Sequence, residues 1–458
     1  MMQVDRSQLP APLPVPEFRL ASLQKAELSN RLKVWLIERH ALPQIAVSLV
    51  MPGGASNDPR MKSGVAMLTA DLLESGTTTH NILQIAERLE FLGSSLSITA
   101  GADATFASIV SLTRCAGESI ELLSDVVIHP IFPATEFERV RARHLTAILQ
   151  RKDRPGNIAT LAFLRQLYGD VHPYAFDGSG TEHSIKAITR DDVLGYHNSN
   201  YRPDDATLIA VGDISMNRLL PLLEELFSSW KMGGAGPPGL LETPTPGIRS
   251  VYLIDKPQAP QSEIRMGYPA LPRSTPDYFA VSVMNRILGG QFSSRINLNL
   301  RERRGYTYGA RSSFAFMKHP GPFMVSGAFV TSKTDSAVEQ VLAEVESMHK
   351  EGVTESELFF SKTGLMGSFP LSFESNSQIA GALQSLVLYG LPEDYYDSYL
   401  LNVERVSLGD VRTVAARHLR PEDMSIVIVG DVSRIKEGLV RLRVGEIVPL
   451  NSEGERVG

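Results

Sequence analysis

The chain has 458 residues, of which 43% are hydrophobic and 21% charged, and a net charge of −6. That profile fits a globular protein long enough for two to four domains of ~100–200 residues each. No basic block marks a nucleic-acid surface, and no apolar run approaches the ~18–20 residues of a membrane-spanning helix.

A single cysteine, Cys115, rules out an internal disulfide framework and any multi-cysteine zinc site. The opening Met-Met-Gln-Val-Asp-Arg-Ser-Gln lacks the apolar core of a secretory signal. The expected location is therefore cytoplasmic, or periplasmic if a leader has been removed. Residues 9–16 carry proline at every second position. This favours an extended arm, assigned to residues 1–27.

Taken in chain order, hydrophobic periodicity predicts strands at Lys33–Ile37, Ile45–Val50, Phe106–Leu112 and Leu208–Val211 in the first half. Helices are predicted at Gly64–Glu74, Ile82–Leu92, Ser119–Ile128, Glu136–Arg151 and Leu219–Trp230. Thr135 and Glu138 have the spacing of a capping box for the Glu136–Arg151 helix. From Lys231 to Gly247 glycine and proline are too dense for regular structure, and the stretch reads as a linker. Beyond it lie predicted strands at Ser250–Ile254, Phe323–Ala328 and Ile426–Val429, and helices at Tyr278–Leu288, Thr334–Glu351 and Glu355–Gly367. Gly289-Gly290 reads as the left-handed cap of the Tyr278–Leu288 helix. Strands cluster at both ends of each half, so the class is α+β.

The halves resemble each other. Asp192, Val193, Arg202, Pro203, Asp205, Val211, Gly212, Asp213 and Ser215 meet identical residues at Asp410, Val411, Arg420, Pro421, Asp423, Val429, Gly430, Asp431 and Ser433, always 218 positions later. A constant offset points to a duplicated domain. Each copy reads as a helix, a turn at Arg-Pro, then a buried strand closed by Gly-Asp.

No two of the ten histidines lie within ten residues of each other, so no helix can present an i, i+4 pair of imidazoles to a metal. There is no Gly-x-Ser-x-Gly elbow, no phosphate loop and no dinucleotide fingerprint. Judged on spacing alone, Arg301 is one of several arginines near a helix end, and Tyr308 is a strand residue.

Two blocks change that weighting. Gly64-Val65-Ala66 and Gly76-Thr77 frame a helix, and Leu300, Arg301, Gly305 and Tyr308 follow Gly289-Gly290 and Ser294-Arg295. Together they resemble the pitrilysin (insulinase, processing peptidase) family of inverted-motif zinc peptidases. In that alignment Met67 stands at the first zinc histidine, Ala70 at the general-base glutamate, Asp71 at the second histidine and Leu145 at the glutamate ligand. Ser97 stands at a substrate-orienting asparagine. The resemblance thus implies a lost zinc site, with Asp71 and Glu74 left as a groove lining or surface stripe. It implies a retained Arg301/Tyr308 pair, in which the tyrosine donates to a developing oxyanion and the arginine grips peptide carbonyls or a carboxylate.

The resemblance further implies two homologous domains, each a mostly antiparallel sheet packed with helices. They are expected at 28–230 and 248–446, joined by the 231–247 linker, with a tail at 447–458. The chain is expected to bind no cofactor and to pair with a homologous subunit carrying His-x-x-Glu-His and its zinc. Arg301 and Tyr308 would complete that subunit's site for hydrolysis of short or unfolded peptides. Pairing of the chain with itself, and a catalytically silent scaffold or peptide-binding role, are the alternatives the family offers.

Overall fold

The computed structural model describes residues 18–233 and 249–457. The proline-rich stretch 9–16 and nearly all of the 231–247 linker lie outside the described residues.

The first half forms β1 (Gln24–Glu27), β2 (Lys33–Glu38), β3 (Gln44–Pro52), β4 (Ser95–Ala100), β5 (Ala104–Leu112) and β6 (Thr207–Gly212), in the sheet order β1-β2-β6-β3-β5-β4. The second half forms β7 (Ser250–Asp255), β8 (Gln261–Pro269), β9 (Thr307–Phe314), β10 (Pro322–Val330), β11 (Ser425–Gly430) and β12 (Glu446–Leu450), in the order β12-β7-β11-β8-β10-β9. Pairing is antiparallel except at β2–β6, β7–β11 and β7–β12. The class is α+β, in two domains.

The duplication extends well beyond the matched segments. β5 and β10 start 218 residues apart, as do β6 and β11, and as do the Arg190–Asn200 and Leu408–His418 helices. Thr189 and Ser407 cap these helices, and each receives a return bond: Asp192 accepts from Thr189 N at 2.7 Å and Asp410 from Ser407 N at 2.9 Å. The shared aspartates are therefore capping residues. The shared glycine of β11 has a packing cause, since a Cβ on Gly430 would sit 2.6 Å from Ser262 Oγ.

The two copies differ at their outer edge. β1 comes from the N-terminal side and runs antiparallel to β2, whereas β12 comes from the C-terminal side and runs parallel to β7. Residues 24–27, assigned from sequence to the arm, belong to the first sheet, and most of β12 was assigned to the tail. Both strands are short and partly polar, and pairing along an existing edge holds them. The capping box expected at Thr135 and Glu138 is not formed. The Ala134–Arg151 helix starts directly after Pro133, which puts Thr135 inside the first turn, while Glu138 pairs with Arg141 at 2.5 Å.

β6 and β11 are buried on both faces, and for each sheet one of those faces is covered by the other half. The Pro155–Tyr168 helix, started by proline at its first position, packs on β8 and β11. There Ile158, Ala159 and Phe163 meet Tyr252, Val427 and Val429. In return the Asn376–Tyr389 helix packs on β3 and β6, where Ile379, Ala380 and Leu383 meet Val50, Ile209 and Val211. Fully burying a side chain such as Phe163 or Leu383 is worth ~1.5–3 kcal/mol, so each exchanged helix contributes several times that. Among the described residues no helix is long and apolar enough to cross a membrane.

Candidate functional site

Arg301 and Tyr308 line one open cleft of about 380 Å³, together with Gly289, Phe292, Asn297 and Arg311. Arg301 sits on a π-helical turn, Leu298–Arg303, and another π-helical turn, Arg286–Gly290, forms the facing wall. Wide turns of this kind arise where an extra residue is accommodated in a helix. Gly305, at φ +65°, then reverses the chain toward β9. That turn is closed by Gly305 N donating to Arg301 O at 3.1 Å and Tyr306 N donating to Leu300 O at 2.8 Å.

Tyr308 owes its direction to a β-bulge. Thr307 pairs with Phe329 and Ala310 with Gly327, so Tyr308 and Gly309 together oppose the single residue Ala328. In an unbroken strand Tyr308 would share a face with Ala310 and Ser312, both buried. The extra residue turns it outward beside Arg311, leaving Tyr308 90% exposed. Thr307 Oγ1 pins the bulge, donating to Ala328 O at 2.7 Å and accepting from Gly309 N at 3.0 Å.

The Arg301 guanidinium lies 4.3 Å from the centroid of the Phe292 ring, and its Nε is 3.4 Å from Glu302. Phe292 is itself 64% exposed. It is held by Asn297, which donates to Phe292 O at 2.7 Å and accepts from Ala310 N at 3.2 Å. Further back, Arg295 grips Glu357 with both arms, at 2.6 and 2.7 Å. Burial would raise the Glu357 carboxyl, but the bonds from Arg295 and Thr354 bring it down to about 2. The cleft is thus an exposed phenol and two arginines on a rigidly tied frame. Chemically, it can donate hydrogen bonds to an anion or to peptide carbonyls.

The glycine pair has a different role from the cap expected from sequence. Neither Gly289 nor Gly290 has positive φ. Gly289 is required because a Cβ there would lie 2.4 Å from Ser312 N, which lets the π-helical turn lie directly against β9.

Met67, Ala70 and Asp71 fall on the Val65–Leu72 helix, which packs against the Ala134–Arg151 helix carrying Leu145. Ala70 is buried in the first core and Leu145 packs against it. Asp71 points at the neighbouring helix, accepting from Arg143 at 2.7 Å and from His144 Nε2 at 2.8 Å. Burial raises its carboxyl, yet the His144 and Arg143 bonds and charges outweigh that and hold it below the usual carboxylate range. Glu74 is pushed up by burial and by the Asp71 charge.

Asp71, read from sequence as part of a groove lining or surface stripe, is a part-exposed ion-pair partner of Arg143 and His144. A zinc ion does not fit these positions. Met67, Ala70 and Leu145 offer no hard donor, and the one carboxylate is engaged by two basic side chains. Among the described residues no three His, Cys, Asp or Glu side chains are grouped to hold a metal.

Sequence reasoning named Arg301 and Tyr308, which the fold brings to one cleft, but missed Phe292, Asn297, Arg311 and the His144 partner of Asp71. Phe292 and Asn297 sit within ten residues of Arg301 and could have been read as its support. The His144 pairing crosses between helices and leaves no local signal.

Two family models match the chain: Insulinase (Peptidase family M16) over residues 33–169 and Peptidase M16 inactive domain over residues 187–365. A Helicobacter pylori protein named non-peptidase homolog YmxG is 26% identical over 414 residues, covering 89% of this chain and 94% of the relative. An uncharacterized zinc protease of Mycobacterium tuberculosis, Rv2782c, is 26% identical over 393 residues, covering 85% and 89%. Among solved structures, the peptidase M16 inactive domain from Pseudomonas fluorescens superposes with a TM-score of 0.83 at 30% identity, covering 89% of this chain and 98% of that one.

Proposed function

The chain belongs to the insulinase family of peptidases, family M16, as an inactive-type member without the zinc motif, and we propose that it is the substrate-gripping subunit of a heterodimeric zinc endopeptidase. The carrying observation is the asymmetry between the halves. Where the first half would hold metal, Asp71 is tied to Arg143 and His144. In the second, Arg301 and Tyr308 share an open cleft, with Tyr308 freely exposed.

Tyr308, aimed outward by a bulge that Thr307 and Asn297 hold in place, is free to meet a docked chain. In this reading a homologous partner chain with an intact His-x-x-Glu-His motif supplies the zinc chemistry. This chain supplies positioning and charge stabilisation. Tyr308 donates its hydroxyl proton in a hydrogen bond to the carbonyl oxygen of the scissile peptide as negative charge builds there. Arg301, its plane steadied on Phe292, donates to neighbouring carbonyls or to a terminal carboxylate.

The decisive experiment mixes the purified chain with such a partner and follows cleavage of an internally quenched peptide. The expected result is no cleavage and no stoichiometric zinc with this chain alone, and peptide cleavage on adding the partner. Stable association without turnover would favour a scaffold or peptide-binding role, the reading to which the name of the Helicobacter pylori relative leans.

A further inference from the structure

A second cavity, of about 310 Å³, lies apart from the Arg301/Tyr308 cleft and is walled by Arg273, Phe316 and five tyrosines. Arg273 precedes the Tyr278–Asn285 helix, and the tyrosines come from that helix, from the end of the Asn376–Tyr389 helix and from the Tyr395–Arg405 helix. The Arg273 residue is only 9% exposed. Its guanidinium stacks 3.6 Å from the centroid of Tyr278 and 4.9 Å from that of Tyr395, and it donates to the Tyr395 hydroxyl at 2.5 Å. Among the described residues no carboxylate pairs with it.

That arrangement is unusual in cost. A guanidinium withdrawn from water is only partly compensated by aromatic faces, and Asp103, the buried carboxylate that acts on Tyr389 alongside Arg273, is already engaged by the Tyr174 hydroxyl and Lys318 N. A second cation adds to the imbalance. Arg286, whose Nε is buried without a hydrogen-bond partner, acts electrostatically on Tyr399 together with Arg273. Burial raises the phenols of Tyr395 and Tyr399 and pushes Tyr396 up to about 12, so at neutral pH these hydroxyls stay protonated and serve as donors. Tyr396 spends its proton on Ala382 O at 2.9 Å, whereas the Tyr399 hydroxyl has no hydrogen bond among the described residues.

We propose that this cavity binds the carboxylate of a ligand whose attached group is aromatic. The guanidinium fork and the Tyr399 hydroxyl receive the anion, and the tyrosine faces and Phe316 receive the ring. A volume of about 310 Å³ accommodates one ring-bearing side chain with its carboxylate, at the small end of the ligand-pocket range. The same chemistry is offered by a free arylalkanoic acid and by the C-terminus of a peptide ending in phenylalanine. This site is independent of the heterodimer proposal, because none of its residues lines the Arg301/Tyr308 cleft.

Calorimetric titration of the full chain tests it. N-acetylphenylalanine is expected to bind saturably, its amide at least about tenfold more weakly, and N-acetylglycine more weakly still. The Arg273→Gln chain should lose at least about tenfold in affinity for the acid. Because Arg273 also packs the cavity wall, Tyr399→Phe provides the second variant. It keeps the ring and should weaken the acid several-fold with an unchanged melting temperature. Tighter binding of a tripeptide ending in free phenylalanine than of N-acetylphenylalanine identifies a peptide C-terminus as the source, and the reverse identifies a free acid. Equal affinity for acid and amide, no saturable binding by the native chain, or equal affinity for N-acetylglycine would overturn the proposal.

Discussion

His144 Nε2 meets the Asp71 carboxylate at 2.8 Å, joining the Ala134–Arg151 helix to the Val65–Leu72 helix. Arg143 adds a second bond to the same oxygen at 2.7 Å. These charged hydrogen bonds cross-link the Val65–Leu72 and Ala134–Arg151 helices of the first half.

Replacing Asp71 by Asn should therefore destabilise the chain by about 1–3 kcal/mol at neutral pH, measured by urea denaturation. The pH dependence follows from the lowered carboxyl. A group whose folded value is depressed contributes above its unfolded range and loses that contribution as pH falls through the folded value. The native and Asp71→Asn curves should converge in acid. A gap that stays constant to low pH would refute the cross-link.

Tyr308→Phe separates folding from chemistry. The side chain is almost fully exposed and its hydroxyl has no hydrogen-bond partner among the described residues, so the melting temperature should move by no more than about 1 °C. In the reconstituted heterodimer the same change should reduce peptide cleavage about 10²–10³-fold, the scale for losing an oxyanion donor. Unaltered turnover would remove Tyr308 from the mechanism.

Arg301→Ala is expected to act mainly on substrate affinity, raising KM more than it lowers kcat. Phe292→Ala should reproduce part of that rise, since the ring steadies the guanidinium at 4.3 Å. Steady-state kinetics of the assembled pair distinguishes this from a general loss of assembly.

Gly289→Ala places a Cβ 2.4 Å from a backbone nitrogen of β9, where nothing flexible can yield. The expected cost is about 1–3 kcal/mol, with displacement of the cleft wall visible as reduced activity of the pair. If the variant is as stable as the native chain, the close approach described above is wrong.

Glu357→Gln removes the doubly bonded partner of Arg295 and should cost about 1–2 kcal/mol near neutral pH. The native carboxyl is lowered from 4.5 to about 2. Its contribution is present above about pH 4.5 and should fade between there and about pH 2, so chemical denaturation across that range provides the check.

Much of the architecture could be read from periodicity. The Ile82–Leu92 and Thr334–Glu351 helices have the predicted bounds, and the 218-residue offset recovers both central strands. β8 escaped because Glu263 and Arg265 spoil its apolar pattern. Arg265 is satisfied by Glu263 at 2.9 Å and by Thr160 and Gly156 of a helix in the other half, at 3.0 and 2.9 Å. β4 and β9 are edge strands with polar outward faces, which read as loops in a single sequence. The positions of Arg301 and Tyr308 came from resemblance. The bulge that aims Tyr308 depends on the register of β10, which no local pattern encodes.

The exchange of the Pro155–Tyr168 and Asn376–Tyr389 helices bears on how the molecule may be cut. Each sheet presents an apolar face that a helix of the opposite half covers, so the halves are bound to one another by their interiors. Peptide continuity between residues 233 and 249 is then dispensable to their union. A chain nicked there should travel as one particle, whereas either fragment made alone would expose a bare sheet and aggregate. The duplicated halves, two folds in sequence, should accordingly unfold in a single denaturation transition.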